Sequence, residues 1–168
     1  LLFTLGTREI FGINVFKVRE VSQTPEITKT PNMPMGVQGV ISLRGNIIPV
    51  IALDKFIGRS KPDNTYASMI VTEFNKSTQA FLVGEVDRII RVDWDKVRAP
   101  ENMVSASQQA MITAVTELED GKLVSILDVE QILASVIGET RIPDIPKANL
   151  DADQFIFFCD DSVVARKE

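Results

Sequence analysis

Residues 39–54, GVISLRGNIIPVIALD, decide the fold. Two apolar runs rich in β-branched residues, 40–43 and 47–53, flank a polar tip, Arg44-Gly45-Asn46. Short runs of this kind around a glycine-containing connection predict a β-hairpin. A lone Arg at the tip projects a permanent cation beside exposed backbone, which suits a carboxylate or a partner protein. A solvated Arg44 on an ordinary turn satisfies the same spacing.

The same signals repeat on both sides of the hairpin. Residues 3–5 and 9–13 predict two short strands around Gly6-Thr7-Arg8. Residues 66–73 and 78–83 predict two more across Asn75-Lys76-Ser77, with 87–92 continuing as a strand. Residues 110–118 and 122–127 predict a third hairpin across Glu119-Asp120-Gly121, where Asp-Gly supplies turn chemistry. Asn14 can cap a short helix over 15–21, since Val15, Phe16, Val18 and Val21 fall roughly on one helical face. Residues 22–37 hold Pro25, Pro31 and Pro34 and little periodicity, which predicts a loop. Residues 93–109 read as irregular around Pro100.

An internal echo bears on architecture. PVIALD (49–54) runs into Lys55-Phe56-Ile57-Gly58, and VSILD (124–128) runs into residues 129–138. Each is a strand ending in Leu-Asp, then a short apolar helix closing on Gly. Asp54 and Asp128 are expected N-caps, and Gly58 and Gly138 expected C-caps. The copies lie too far apart for a solenoid period and suit two similar small β-barrels, each finished by a short helix.

Composition narrows the functions available. With 168 residues and 45% apolar content the chain can bury a real core. Its net charge is −5, and its positive charges are scattered; Arg88 and Arg91, the nearest approach to a cluster, are offset by Asp87, Asp93 and Asp95. That argues against nucleic acid or an anionic membrane as partner. One Trp and one Tyr argue against a carbohydrate- or single-strand-binding barrel. No apolar run approaches the roughly 18 residues of a membrane span, so no direct membrane insertion is expected. A lone Cys159 excludes an internal disulfide framework and fits a reducing cytosol. The absence of His removes Ser-His-Asp and Cys-His nucleophiles, histidine metal sites and phosphohistidine relays. No catalytic residue is expected. Trp94, between Asp93 and Asp95, is expected to be half-buried and to pack its loop onto a barrel; an exposed partner anchor is the alternative.

Organisation changes after Gly138. Residues 139–153 carry Pro143, Pro146 and several charges, as a linker does. Residues 154–168 then give a continuous apolar strand, Gln154-Phe155-Ile156-Phe157-Phe158-Cys159, an Asp160-Asp161-Ser162 turn and a helix-like end. A wholly apolar strand belongs in a buried parallel sheet, so an α/β unit is expected to open here. With Leu1 first in place of Met, and a helix-like stretch at its close, the chain is expected to be cut from a longer protein.

Residues 3–138 resemble the CheW-like domain of bacterial chemotaxis coupling proteins. The stretches that carry the resemblance are Phe3-Thr4-Leu5-Gly6, Phe11-Gly12-Ile13, Val18-Arg19-Glu20-Val21, Gly39-Val40-Ile41-Ser42-Leu43-Arg44-Gly45, Ile48-Pro49-Val50 and Leu53, in the family's order and spacing. Ser42 departs from the Asn that often precedes Leu-Arg-Gly. The tail resembles the opening of a response-regulator receiver, and a CheW-like domain followed by a receiver is the CheV arrangement. The implied fold is all-β with short helices: two interlocked five-stranded SH3-like β-barrel subdomains over residues 1–138, a linker at 139–153, and a C-terminal fragment of an α/β receiver at 154–168.

The resemblance also implies a function. Such domains are cytoplasmic adaptors that join the tip of a chemoreceptor to the regulatory domain of the histidine kinase CheA; catalysis belongs to the kinase. Partner-binding positions by resemblance are Val15, Val18, Glu20, Gly39, Arg44 and Gly45. Glu20 and Arg44 are expected to form an ion pair holding the hairpin against the 15–21 segment. Gly39 and Gly45 are expected at the kinase-facing surface, where missing side chains permit close approach or simply serve turn geometry. Val15 and Val18 map to the receptor-facing region, although periodicity alone makes them core. Asp160 and Asp161 match the acidic pair that holds Mg²⁺ in an intact receiver. No cofactor is expected for this 168-residue chain, and Mg²⁺ only for a full-length receiver. A stand-alone, phosphorylation-responsive regulator with this β domain as its output is the competing reading.

Overall fold

The hairpin forms where the sequence places it. Arg44 and Gly45 both take positive φ, +50° and +84°, as a two-residue hairpin connection with the right-handed twist of its strands requires. It joins β4 (Val37–Leu43) to β5 (Asn46–Ala52), closing on the Leu43–Asn46 pair. The structure is a computed structural model, describing residues 1–58, 66–74, 77–99 and 111–137. Its other strands are β1 (Leu2–Thr4), β2 (Ile10–Gly12), β3 (Val18–Gln23), β6 (Ser68–Phe74), β7 (Ser77–Val83), β8 (Ile112–Glu117) and β9 (Leu123–Leu127). Two α-helices follow hairpins: α1 (Leu53–Phe56) after β5 and α2 (Val129–Ile137) after β9. No helix among the described residues is long and apolar enough to cross a membrane.

The strands form two sheets of the same design. One has the order β3-β6-β7-β5-β4, the other β1-β2-β9-β8. In each, one antiparallel hairpin meets another through a central parallel pair, β5 with β7 and β2 with β9. The second sheet has four strands where five were expected. Its fifth place is taken by residues 84–88, which run out of β7 and bond to β1: Leu2 N–H to Arg88 C=O (2.8 Å), Asp87 N–H to Leu2 C=O (2.9 Å) and Gly84 N–H to Thr4 C=O (2.8 Å). Only Val86, opposite Phe3, forms a formal bridge. The expected strand over 87–92 is therefore a short paired stretch that ends at Arg88.

Each sheet is then closed by the chain that leaves its edge strand. After β3, Thr28 pairs with Val40 on β4; after residues 84–88, Arg98 pairs with Val115 on β8. Both closures are reciprocal backbone pairs of 2.8–3.0 Å. The β3–β7 barrel is thus inserted between β2 and residues 84–88 of the other barrel, which interlocks the two.

Strand alternation sends side chains to two cores. Val50, Ala52, Met69, Val71, Ala80 and Leu82 fill the β3–β7 barrel, with Ile41 and Ile48. Their neighbours Ile51, Ile70, Phe81 and Val83 point the other way, into a core shared with Phe3, Phe11, Leu127 and the α2 residues Val129 and Ile132. β5, β6 and β7 are therefore buried on both faces, which explains their near-continuous apolar sequences.

Several local expectations change. The helix expected over 15–21 is one 3-10 turn, Val15–Lys17, capped by the Asn14 carboxamide (3.0 Å to the Phe16 N–H). From Val18 the chain is strand, because pairing with β6 from Val18–Thr72 to Gln23–Ser68 satisfies its backbone. Asp128 caps α2, its Oδ1 accepting the Glu130 and Gln131 amides at 3.0 Å. Asp54 is not the N-cap of α1, which is Ala52; the fully buried Asp54 carboxylate accepts the Tyr66 hydroxyl at 2.8 Å. Gly58 takes φ +68° just past α1, as an αL ending requires. In the third hairpin only Gly121 has positive φ (+78°). Asp120 accepts from the Lys122 side chain and amide, which holds its exposed carboxyl below the usual range. Trp94, expected half-buried, is 83% exposed on a second 3-10 turn, Trp94–Lys96. Gly138, Cys159, Asp160, Asp161, the 139–153 linker and the receiver-like stretch lie outside the described residues.

Candidate functional site

Closure of the β3–β7 barrel brings together the residues that the sequence singles out. β3 and β4 are the two edges of that sheet, and the β4–β5 tip reaches back to β3. The Arg44 guanidinium donates through Nη2 to Glu20 Oε2. Arg44 is mostly exposed, with 68% of its side chain accessible, and Glu20 is mostly covered, at 22%. A positive φ at Arg44 aims the side chain from the turn without a glycine's freedom, so the turn and the ion pair are one device. The neighbouring Arg19 donates to Glu73 on β6 at 2.7 Å. Successive β3 residues thus fasten the strand to β6 and to the hairpin.

Apolar side chains lie on the neighbouring stretches of chain. Val15 and Val18 are half-buried, and Val18 packs on the shared core. Phe16 between them is 94% exposed. On the hairpin, Ile47 is 75% exposed; on β3, Val21 is 42% exposed. A large aromatic side chain held in water by a capped turn is the kind of anchor that protein interfaces use. The sequence reading missed Phe16 because it counted it on the apolar face of a helix that does not form. The usable signal was the recurrence of β-branched Val15, Val18 and Val21 after the Asn14 cap, which favours strand over helix.

The two glycines part company. Gly45 is exposed, with nothing within 4 Å of where a Cβ would sit. It leaves the tip open to a partner. Gly39 is buried, at φ +150°, and a Cβ there would lie 2.3 Å from the Thr28 carbonyl oxygen and 2.8 Å from Ile27 Cγ2. The close approach its missing side chain permits is made by the same chain, at the barrel closure.

A second surface lies on the other barrel. Residues 88–99 and the β8–β9 hairpin line an open depression of about 920 Å³ bordered by Ile90, Val92, Val115 and Leu118 among mixed charges. Ile89, Trp94 and Leu123 are exposed around it. Its charges are of both signs, and of the residues considered for partner binding only Trp94 lies beside it.

Comparison with known proteins agrees with this arrangement. The family model described as the CheW-like domain matches residues 1–136. The chain is 36% identical over 164 residues to the chemotaxis protein CheV3 of Helicobacter pylori, covering 94% of this chain and 52% of that protein. It is 33% identical over 139 residues to the chemotaxis protein CheW of Klebsiella aerogenes, covering 80% of this chain and 81% of that protein. Among solved structures, the scaffolding protein TtCheW from Thermoanaerobacter tengcongensis superposes with a TM-score of 0.68 at 30% identity, over 77% of this chain and 82% of that one. The chain spans about half the length of the CheV relatives it matches.

Proposed function

This chain belongs to the CheW-like domain family, and from that membership we propose that it is a coupling adaptor of bacterial chemotaxis. Its partners in this reading are the regulatory domain of the histidine kinase CheA and the cytoplasmic tip of a chemoreceptor. It acts by holding them together and carries out no catalysis of its own. It works in the cytoplasm, at receptor arrays, through protein contacts alone.

The structural observation that supports the reading is the Arg44–Glu20 pair, which fixes an exposed hairpin tip next to the exposed Ile47. An ion pair this accessible contributes only about 0–1 kcal/mol to stability, so its value to the protein lies in presenting a surface. The receptor face consists of Val15, Phe16, Val18, Glu20 and Arg44, with Gly45 opening the tip toward the kinase. Gly39 serves indirectly, by allowing the barrel to close behind the hairpin.

The alignment with CheV3 extends past residue 136, which supports reading residues 154–168 as the opening of a receiver after a linker at 139–153. In a longer protein with a complete receiver, Asp160 and Asp161 would offer the carboxylate oxygens that Mg²⁺ prefers, and phosphorylation would modulate the adaptor.

Titration of the 168-residue chain with the CheA regulatory domain and with a receptor cytoplasmic fragment, separately and together, tests the function. Both should bind without Mg²⁺ or a phosphodonor, and the chain should join them in one complex. Binding to neither would overturn the adaptor reading.

A further inference from the structure

We propose that Glu130, at the start of α2, is a positioning residue for the Val15–Lys17 turn, so that the helix closing the domain sets how Phe16 is presented. The inference rests on the adaptor reading for its consequence but not for its geometry. Lys17 Nζ lies 2.8 Å from Glu130 Oε1. The two residues come from opposite ends of the domain's sequence. The other polar contacts of the turn are local: Asn14 Oδ1 accepts the Phe16 N–H, Asn14 C=O accepts the Lys17 N–H, and Val15 C=O accepts the Val18 N–H. Among the described residues, Lys17–Glu130 is the one side-chain ion pair or hydrogen bond that ties the turn to a distant element.

The helix end of the link is rigid. Asp128 holds the Glu130 and Gln131 amides, and Val129 and Ile132 on either side of Glu130 are fully buried in the shared core. The turn end is less buried: Phe16 itself is almost wholly exposed and Val15 only half-buried. A tether from a buried helix to a more exposed turn restrains the turn more than the helix. Val18, at the exit of the turn, packs on the same core that holds α2. A displacement of α2, the last described element, would therefore reach the turn through both the ion pair and this packing.

The pair is partly exposed, at 30% and 48% for the two side chains, so breaking it should barely move global stability. That separates positioning from a structural role. The test uses Lys17→Gln, Glu130→Gln and the exchanged pair Lys17→Glu/Glu130→Lys in the 168-residue chain. Amide hydrogen exchange at Lys17 and Val18 is the first readout and receptor-fragment affinity the second. Each single variant should speed exchange at these amides and weaken binding by about two- to fivefold, the range open to one exposed ion pair. The exchanged pair should recover both; the thermal midpoint should stay unchanged in Lys17→Gln and fall only slightly in the two variants that take the acid from the helix N-terminus. Lys17→Gln is the cleaner single, because Glu130→Gln also removes a favourable charge from the helix N-terminus. Unchanged exchange at Lys17 and Val18 in both singles would overturn the inference whatever the binding data show. A parent chain that binds no receptor fragment would instead overturn the adaptor reading, and the exchange data would still decide this one.

Discussion

The two barrels share a topology and differ at one corner. In the β3–β7 barrel the chain crosses from its bond with Ala67 at Thr24 to its bridge with Val40 at Thr28. In the other barrel the same crossing runs from Arg88 to Arg98. The short crossing forces backbone against backbone, and the strand position beneath it is Gly39. Its counterpart, at the same place after a strand irregularity and before the closing bridge, is Ala114. A methyl group fits there because the longer crossing stands off. The tight corner yields a rigid frame that presents Arg44; the loose corner yields an open depression and an exposed Trp94. Corner length thus decides which barrel offers a built hairpin tip and which offers an open mouth.

This contrast can be broken most forcefully at the glycine. Gly39→Val should cost about 3 kcal/mol or more, through a clash with the Thr28 carbonyl and a φ that β-branched residues avoid. In urea unfolding, Ala114→Gly should cost only about 1 kcal/mol, the ordinary penalty of glycine in a strand. Similar losses at the two positions would mean that the corners are equivalent. At the helices, Asp128→Ala should cost about 1 kcal/mol by removing a side-chain cap, and Asp128→Ser should restore most of it. A neutral Asp128→Ala would remove the cap from the account of α2. The smallest effect is expected at the loose corner. Trp94→Ala should change stability by no more than about 0.5 kcal/mol, as for surface substitutions generally. A loss of about 2 kcal/mol would show a corner packed in solution.

What could be read from the sequence was local. The Arg44-Gly45 hairpin is encoded within residues 40–53 by turn chemistry and flanking apolar runs, and it forms where it was read, with Asn46 joining the strand. The closures are not encoded locally: nothing near Thr28 or Arg98 announces a partner on β4 or β8. For the same reason, the fifth strand of the second barrel could not be seen as an offshoot of β7. The turn at 15–17 was misread because Val15, Phe16, Val18 and Val21 fit a helical face and a twisted edge strand alike, and pairing with β6 decided between them. The Leu-Asp echo pointed to the right architecture in the wrong register. By strand pairing Ile51 corresponds to Leu127, so Asp128 answers to Ala52 and Asp54 to Glu130. That is why one aspartate caps a helix and the other is buried against Tyr66. Of the residues proposed to face a partner, Glu20 and Arg44 were legible as a pair through family resemblance, whereas Phe16 was hidden by the misread helix.

The claim that the tightly closed barrel carries the docking face is tested most directly by titrating a receptor cytoplasmic fragment into the parent chain, Arg44→Glu, and Arg44→Glu combined with Glu20→Arg. Charge reversal should leave the chain folded, with a stability loss of about 1 kcal/mol, since the pair is exposed. Binding should weaken by about tenfold or more, because a charge pair desolvated at an interface is worth far more than one in water. The exchanged pair should regain most of the affinity. A folded Arg44→Glu that binds the receptor fragment as tightly as the parent would contradict the assignment.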